Sequence, residues 1–153
     1  MIAFSVPGRG DYALEHLALD VNGTLCLDGR LIDGVAERLR ALRERVQVHI
    51  LSADTFGSVA EIEKVLGVSA VRIRGSADKS AFVQRIGPAS VVAVGNGAND
   101  AGMLSAAALG LAVLGPEGVA REALAAADVV VPGVLVALDL LLNPQRLVAT
   151  LRL

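Results

Sequence analysis

LALDVNGTLCLDGRL, residues 17 to 31, is the stretch on which the reading of the chain turns. An apolar run ends on an acid, Asp20, and Asn22, Gly23 and Thr24 follow. A further apolar arm then turns at Asp28-Gly29, a favoured two-residue hairpin turn, so LCLDGRLI reads as a small hairpin. A carboxylate at a strand end stands where α/β sheets keep nucleophiles and metal ligands. It suits attack on phosphorus to form an aspartyl-phosphate, and it equally suits capping a turn. The feature to be explained is the amide at position 22.

On either side of this stretch, apolar runs alternate with segments of helical spacing. HLALDV, VQVHILS, VSAVRIR, SVVAVG, LGLAVLG and DVVV read as strands. GVAERLRALRER, FGSVAEIEKVLG, DKSAFVQRIG, NDAGMLSAAA, EGVAREALAAA and PGVLVALDLLL read as helices, the first with Val35, Leu39 and Leu42 on one face. This repeating order predicts an α/β fold: a Rossmann-like three-layer sandwich with a central, mainly parallel sheet and helices on both faces. Residues 1–153 are expected to form one domain. Right-handed crossovers bring the strand C-termini to one edge, where such sheets bind ligands.

Composition agrees with that picture. Apolar residues make up 54% of the chain, as expected where strands are covered on both faces. No apolar run reaches the roughly 18 residues of a membrane span, and MIAFSVPGRGDY lacks the pattern of a signal peptide. A net charge of −2, with no basic tract or aromatic platform, argues against nucleic acid. Cys26 is the only cysteine, so no internal disulfide forms and a cytoplasmic location is the expectation. The apolar tail LVATLRL suits a sheet edge or a partner, which leaves a homo-oligomer open.

Several further residues fall at the ends of predicted strands. Ser52 closes VQVHILS; its hydroxyl and the neighbouring N–H groups, including that of Ala53, suit a phosphoryl oxygen, and Ser52 also suits a helix N-cap. Lys79 is one of only two lysines and heads a helix, where a cation opposes the helix dipole. That conflict points to a fixed negative partner, such as Asp20 with a phosphate. In VAVGNGAND the glycines allow close backbone approach, and oxygens of Asn96 and Asp100 suit Mg²⁺; a turn with a capped helix is the plain alternative. His16 and His49 lack metal-ligand spacing and read as an edge residue and a packed strand residue, while Asp54 suits a cap or a group behind the site.

Taken in order, DVNGT, Ser52, Lys79 and GNGAND resemble the four motifs of the haloacid dehalogenase superfamily. GNGANDAGML with LGLAVLGPEGVAREALAAADVVV is similar to the phosphorylation domain of P-type ATPases, and more so to their small stand-alone soluble relatives. The resemblance implies a Mg²⁺-dependent phosphohydrolase acting on a small phosphorylated substrate, with the hairpin as flap and no large cap domain. It implies Asp20 as nucleophile, with Asn22 and Lys79 also at catalytic positions, and phosphate held by Ser52, Ala53, Gly23, Thr24 and Lys79. It implies metal contacts from Asp20, the Asn22 carbonyl, Asn96 and Asp100, the last also readable as an acid set back from the metal, with Asn99 behind them.

The chain departs from that pattern twice. Position 22 is where the superfamily has a general acid and base, and position 96 is where it has an acidic metal ligand. An amide keeps the loop and the carbonyl but moves no proton. Asn96 still offers an oxygen, with one negative charge fewer for Mg²⁺. The expectation is slow turnover, or turnover restricted to good leaving groups. The rival is a catalytically impaired phosphate-binding regulatory module. A response-regulator receiver shares the Asp, hydroxyl and Lys types but has no counterpart to GNGAND.

Overall fold

The computed structural model describes residues 1–53 and 58–153. The chain begins with an antiparallel hairpin of β1 (Ile2–Val6) and β2 (Gly10–Leu14). It continues into β3 (His16–Asp20) and the flap, a hairpin of β4 (Cys26–Leu27) and β5 (Arg30–Leu31). Helices and strands then alternate: α1 (Val35–Arg43), β6 (Gln47–Ser52), α2 (Ser58–Leu66), β7 (Ala70–Arg72), α3 (Ser76–Ile86), β8 (Val91–Gly95). After these come α4 (Ala101–Ala106), β9 (Leu109–Val113), α5 (Arg121–Ala126), β10 (Val129–Val131), α6 (Val134–Leu142) and α7 (Gln145–Leu151).

Six strands form one sheet in the order β10-β9-β8-β3-β6-β7, and every neighbouring pair is parallel. The chain lays β6 and β7 on one side of β3, then crosses over to place β8, β9 and β10 on the other. The strand order therefore reverses between β3 and β8. At such a switch point the two flanking connections leave in opposite directions and open a crevice at the strand C-termini. Asp20 ends β3 and Asn96 follows β8, so both stand at that crevice.

The apolar runs owe their continuity to burial on both faces. Leu17, Leu19, Val48, Ile50, Val92 and Val94 join one core with α1, α2, α6 and α7. The alternate residues Ala18, Leu51, Val91 and Ala93 join the other, with α3, α4 and α5. Small residues at positions 18, 93 and 112 bring the second helical layer close to the sheet, while Leu, Ile and Val fill the first.

Some boundaries and elements differ from the sequence reading. EGVAREALAAA was expected to be helical throughout, but α5 starts only at Arg121. Gly118 has φ +80, and the Gly115–Gly118 bridge closes a turn, so Glu117 lies on a loop beside the crevice. His16 was expected at an edge; it begins the central strand β3, and its Nδ1 lies 3.2 Å from His49 Nε2. The β1–β2 hairpin had no predicted counterpart, although the burial of β1 alternates in and out as a half-buried strand requires. The tail forms α7, whose buried Leu147 and Leu151 join the same core as Ile2, Phe4 and Val6. Asp54 and the first residues of FGSVAEIEKVLG lie outside the described residues. Among the described residues, no single helix is long and apolar enough to cross a membrane.

Since α7 is part of the core, Leu147→Ala should lower unfolding stability by about 2–5 kcal/mol. Chemical denaturation measures this; a change below about 0.5 kcal/mol would place α7 outside the cooperative core.

Candidate active site

Each site residue is carried by the end of a regular element. Asp20 is held by β3, hydrogen-bonded on both sides to β6 and β8. The loop after it is tight: the N–H groups of Thr24, Leu25 and Cys26 all donate to the Val21 carbonyl. Gly23 has φ +77, the left-handed region, and its N–H donates to the Cys26 carbonyl at 2.9 Å. A Cβ at Gly23 would stand 2.5 Å from Asn96 Nδ2 and 2.6 Å from Glu117 Oε2. Glycine is required there both for backbone angle and for space.

Lys79 lies in the first turns of α3 and is 1% exposed. Its Nζ donates to Asp20 Oδ1 and to Asp100 Oδ1, each at 2.5 Å. Asp100, fully buried, accepts at its other oxygen from the N–H groups of Asn96 at 3.0 Å and Gly97 at 2.9 Å. Both Asp100 oxygens are thus engaged within the protein. Gly95 makes this turn feasible, because a Cβ there would meet Asp100 Cγ at 2.5 Å.

The Thr24 hydroxyl lies 3.2 Å from both Asp20 Oδ2 and Asn96 Oδ1, so its single proton serves one of them at a time. Asn96 is further fixed by its Nδ2, which donates to the Gly118 carbonyl, and by its own carbonyl, which accepts from Ala120 N–H. Ser52 is buried at the end of β6, and Ala53 after it is exposed. Asn22 is exposed at the mouth, and Asn99, also exposed, sets its Oδ1 over Gly97. The crevice therefore gathers Asp20, Thr24, Lys79, Asn96 and Asp100, with Asn22 and Asn99 on its solvent side. Glu117 also reaches it and was missed in the sequence because it was assigned to a helix. The Gly118 that follows it was the available signal for a turn.

The electrostatics follow from one ammonium serving two carboxylates. Burial, and then the neighbouring Asp100, push the Asp20 carboxyl up from 3.8 to about 6, against the opposing pull of Lys79. Burial works against the Lys79 charge, but Asp20 and Asp100 outweigh it and hold the ammonium above its usual range. The two directions agree: the cluster has more negative charge than the lysine alone neutralises. Asp20 is still ionised at neutral pH.

The donor types here suit a hard cation. Asp20 Oδ2 and Asn96 Oδ1 converge on one hydroxyl, and all the available donors are oxygens, as Mg²⁺ prefers. Among the described residues no three His, Cys, Asp or Glu side chains form a ready-made metal cage. A cation would be held by one carboxylate with amide and carbonyl oxygens.

A parallel sheet whose order reverses beside a strand-end aspartate, with a lysine bonded to that aspartate, defines the α/β class of the chain. The chain has the fold of the haloacid dehalogenase superfamily in its small form, with a flap hairpin and no large cap. It is similar to the 3-deoxy-D-manno-octulosonate 8-phosphate phosphatase of Moraxella catarrhalis, solved with magnesium, phosphate and the sugar acid. The two are 20% identical, with TM-score 0.68, over 91% of this chain and 94% of that one. The cobalt-bound Haemophilus influenzae counterpart gives 16%, TM-score 0.73, and 87% and 90%. A zinc-transporting P-type ATPase in its E2.Pi state gives 27% and TM-score 0.64, over 79% of this chain and 20% of that one. By sequence, an uncharacterised Methanocaldococcus jannaschii protein is 54% identical over 39 residues, 26% of this chain and 89% of its own length. A second from that organism is 47% identical over 62 residues, 40% of this chain and 67% of its own. No protein-family model matches the chain.

Because the folded-state pKa of Asp20 is raised, its contribution to stability is complete below about 3.8 and is lost as pH rises through about 6. Unfolding stability of the metal-free protein should therefore fall over that window, and in Asp20→Asn this part of the fall should vanish. Denaturant titrations from pH 3.5 to 7 test it, and parallel pH profiles for the two proteins would contradict it.

Proposed function

We propose that this chain is a phosphohydrolase that passes a phosphoryl group to Asp20 and then to water. The observation that carries the reading is the buried Asp20–Lys79 pair at the switch point of the sheet. An Asp20 oxygen attacks phosphorus, and the bond from phosphorus to the leaving oxygen breaks with its electron pair going to the leaving group. Water then attacks the phosphorus of the aspartyl-phosphate, restoring the Asp20 carboxylate and releasing inorganic phosphate. Lys79 and the Ser52 hydroxyl, with the Ala53 N–H, are the donors for the phosphoryl oxygens. Thr24 holds the Asp20 carboxylate in line. Asp100, engaged by Lys79 and two backbone N–H groups, keeps the lysine aimed. Asp20, the Asn22 carbonyl and Asn96 are the residues to hold Mg²⁺, which when bound offsets phosphoryl charge.

The amide at position 22 shapes which esters react. A missing general acid costs about 10²–10⁴-fold, and most where the leaving group is an alkoxide that needs a proton. Sugar phosphates such as that of the Moraxella enzyme are of this kind. Acyl and aryl phosphates leave without one. Water activation in the second step also lacks its base, so the covalent intermediate should persist. The two amides also favour a second reading, a module that binds phosphate without turnover.

With Mg²⁺ present, acetyl phosphate and p-nitrophenyl phosphate should be hydrolysed measurably and alkyl monoesters barely, and Asp20→Asn should abolish both activities. Asn22→Asp should raise alkyl-ester turnover by up to about 10²–10⁴-fold, more than it raises aryl turnover. Intact mass must first exclude deamidation at Asn22-Gly23 and Asn96-Gly97, which would create the acids under test. No phosphate incorporation at Asp20 in either form would leave the binding module as the reading.

A further inference from the structure

Beside the phosphate loop the structure opens a cavity of about 360 Å³. One wall is Gly23 and Thr24, and the Thr24 hydroxyl is 3.2 Å from the Asp20 carboxylate. The remaining walls come from the flap, Leu27 and Ile32, and from strand ends and α6, among them Val113, Pro116, Pro132 and Leu135. A larger cavity of about 620 Å³ lies between the flap and α2 and has neither Gly23 nor Thr24 in its walls. The smaller one reaches the phosphate loop through Gly23 and Thr24, with Thr24 between it and Asp20, and it is of the size of a small-ligand site.

Its chemistry is selective. The walls carry apolar side chains, and the Thr24 hydroxyl is already placed against Asp20 and Asn96. A polyol seated there would give up water for its hydroxyls and gain few partners, which is costly. A flat aromatic ring loses little and buries apolar area against Pro116, Pro132 and Leu135. The amide at position 22 independently favours a leaving group that departs unprotonated, and phenols do so far better than alkyl alcohols. We propose that this cavity receives an aromatic leaving group, so that the substrate class is aryl phosphate monoesters; this rests on the phosphohydrolase reading.

Phenyl and 2-naphthyl phosphate test it, because their phenols are of similar acidity and differ in size; acetyl phosphate is too small to fill the cavity. KM for 2-naphthyl phosphate should be several-fold below that for phenyl phosphate. In Leu135→Asn and in Leu27→Ser, the ratio of kcat/KM for 2-naphthyl over acetyl phosphate should fall about tenfold. Equal KM values in the wild type, or a ratio unmoved in both variants, would overturn the aryl assignment and leave the phosphohydrolase standing. No turnover of acetyl phosphate either would defeat both.

Independently of the cavity, the structure assigns Glu117 a part in holding the cation. Asn96 Nδ2 and Glu117 Oε2 converge on the same face of Gly23, at 2.5 and 2.6 Å from where a Cβ would stand. Among the described residues, the other carboxylates at the crevice, Asp20 and Asp100, share Lys79. Glu117 brings to this side a negative charge that Asn96 lacks, and among the described residues no lysine or arginine forms a salt bridge with it. Calorimetric titration with Mg²⁺ alone, without substrate, reads this directly. Glu117→Gln should weaken binding several-fold, and adding Asn96→Asp to that variant should recover it. Equal affinity in wild type and Glu117→Gln would overturn the role for Glu117, whereas no Mg²⁺ binding by the wild type would defeat the metal site as a whole.

Discussion

The buried ammonium of Lys79 is the constraint around which the site is built. A cation at 1% exposure is tolerated only with close anionic partners, and it has two, Asp20 and Asp100 at 2.5 Å each. Those partners come from opposite sides of the strand-order reversal, one ending β3 and one following β8, while the lysine comes from α3, which leads from β7 toward β8. Three distant pieces of chain are thereby tied at one point. The pairing also settles the lysine's conflict with its own helix. Near the start of α3 the dipole opposes a cation, and two full negative charges outweigh two or three partial positive ones.

The same cluster gives a physical context for the amides at positions 22 and 96. Before any phosphate or cation arrives, two carboxylates already share one ammonium, and Asp20 is raised to about 6 by burial and by Asp100. Two more acids on that rim would add like charge to a site already over-supplied with it. Amides keep the shape, as the Thr24 and Gly118 contacts of Asn96 illustrate, while sparing the metal-free protein that repulsion. On the proposed function, the cost falls on proton transfer and on cation affinity, which are functional rather than structural terms.

The sheet explains why the site is rigid enough for this. β3 and β8 lie in the middle of the order, covered by an apolar layer on each face, so the ends that carry Asp20 and Asn96 have little freedom. The loops around them are short and hydrogen-bonded internally. The rim of the crevice is made by the flap, Asn22 and the loop from 114 to 120 that carries Glu117. A chain without a large cap has to build any selectivity from such rim residues.

The sequence by itself determined the alternation of strands and helices, because period-2 and period-3.6 burial leave different apolar patterns, and a doubly covered sheet leaves continuous ones. It also singled out Asp20, Ser52, Lys79 and Asn96, since the chemistry of an α/β sheet lies just past its strands. It did not reveal that the first fourteen residues form a hairpin packed with α7, for that packing joins the two ends of the chain and neither end is marked without the other. Only the tertiary structure decided that Asp100 turns inward to share Lys79 with Asp20, a matter of how closely Gly95 lets the turn approach. It alone brought Glu117 to Gly23 and Asn96. Residues 23, 96 and 117 have no sequence relation to one another; they meet because the sheet order sets β9 beside β8 and β8 beside β3, and the loops at those strand ends then share one crevice.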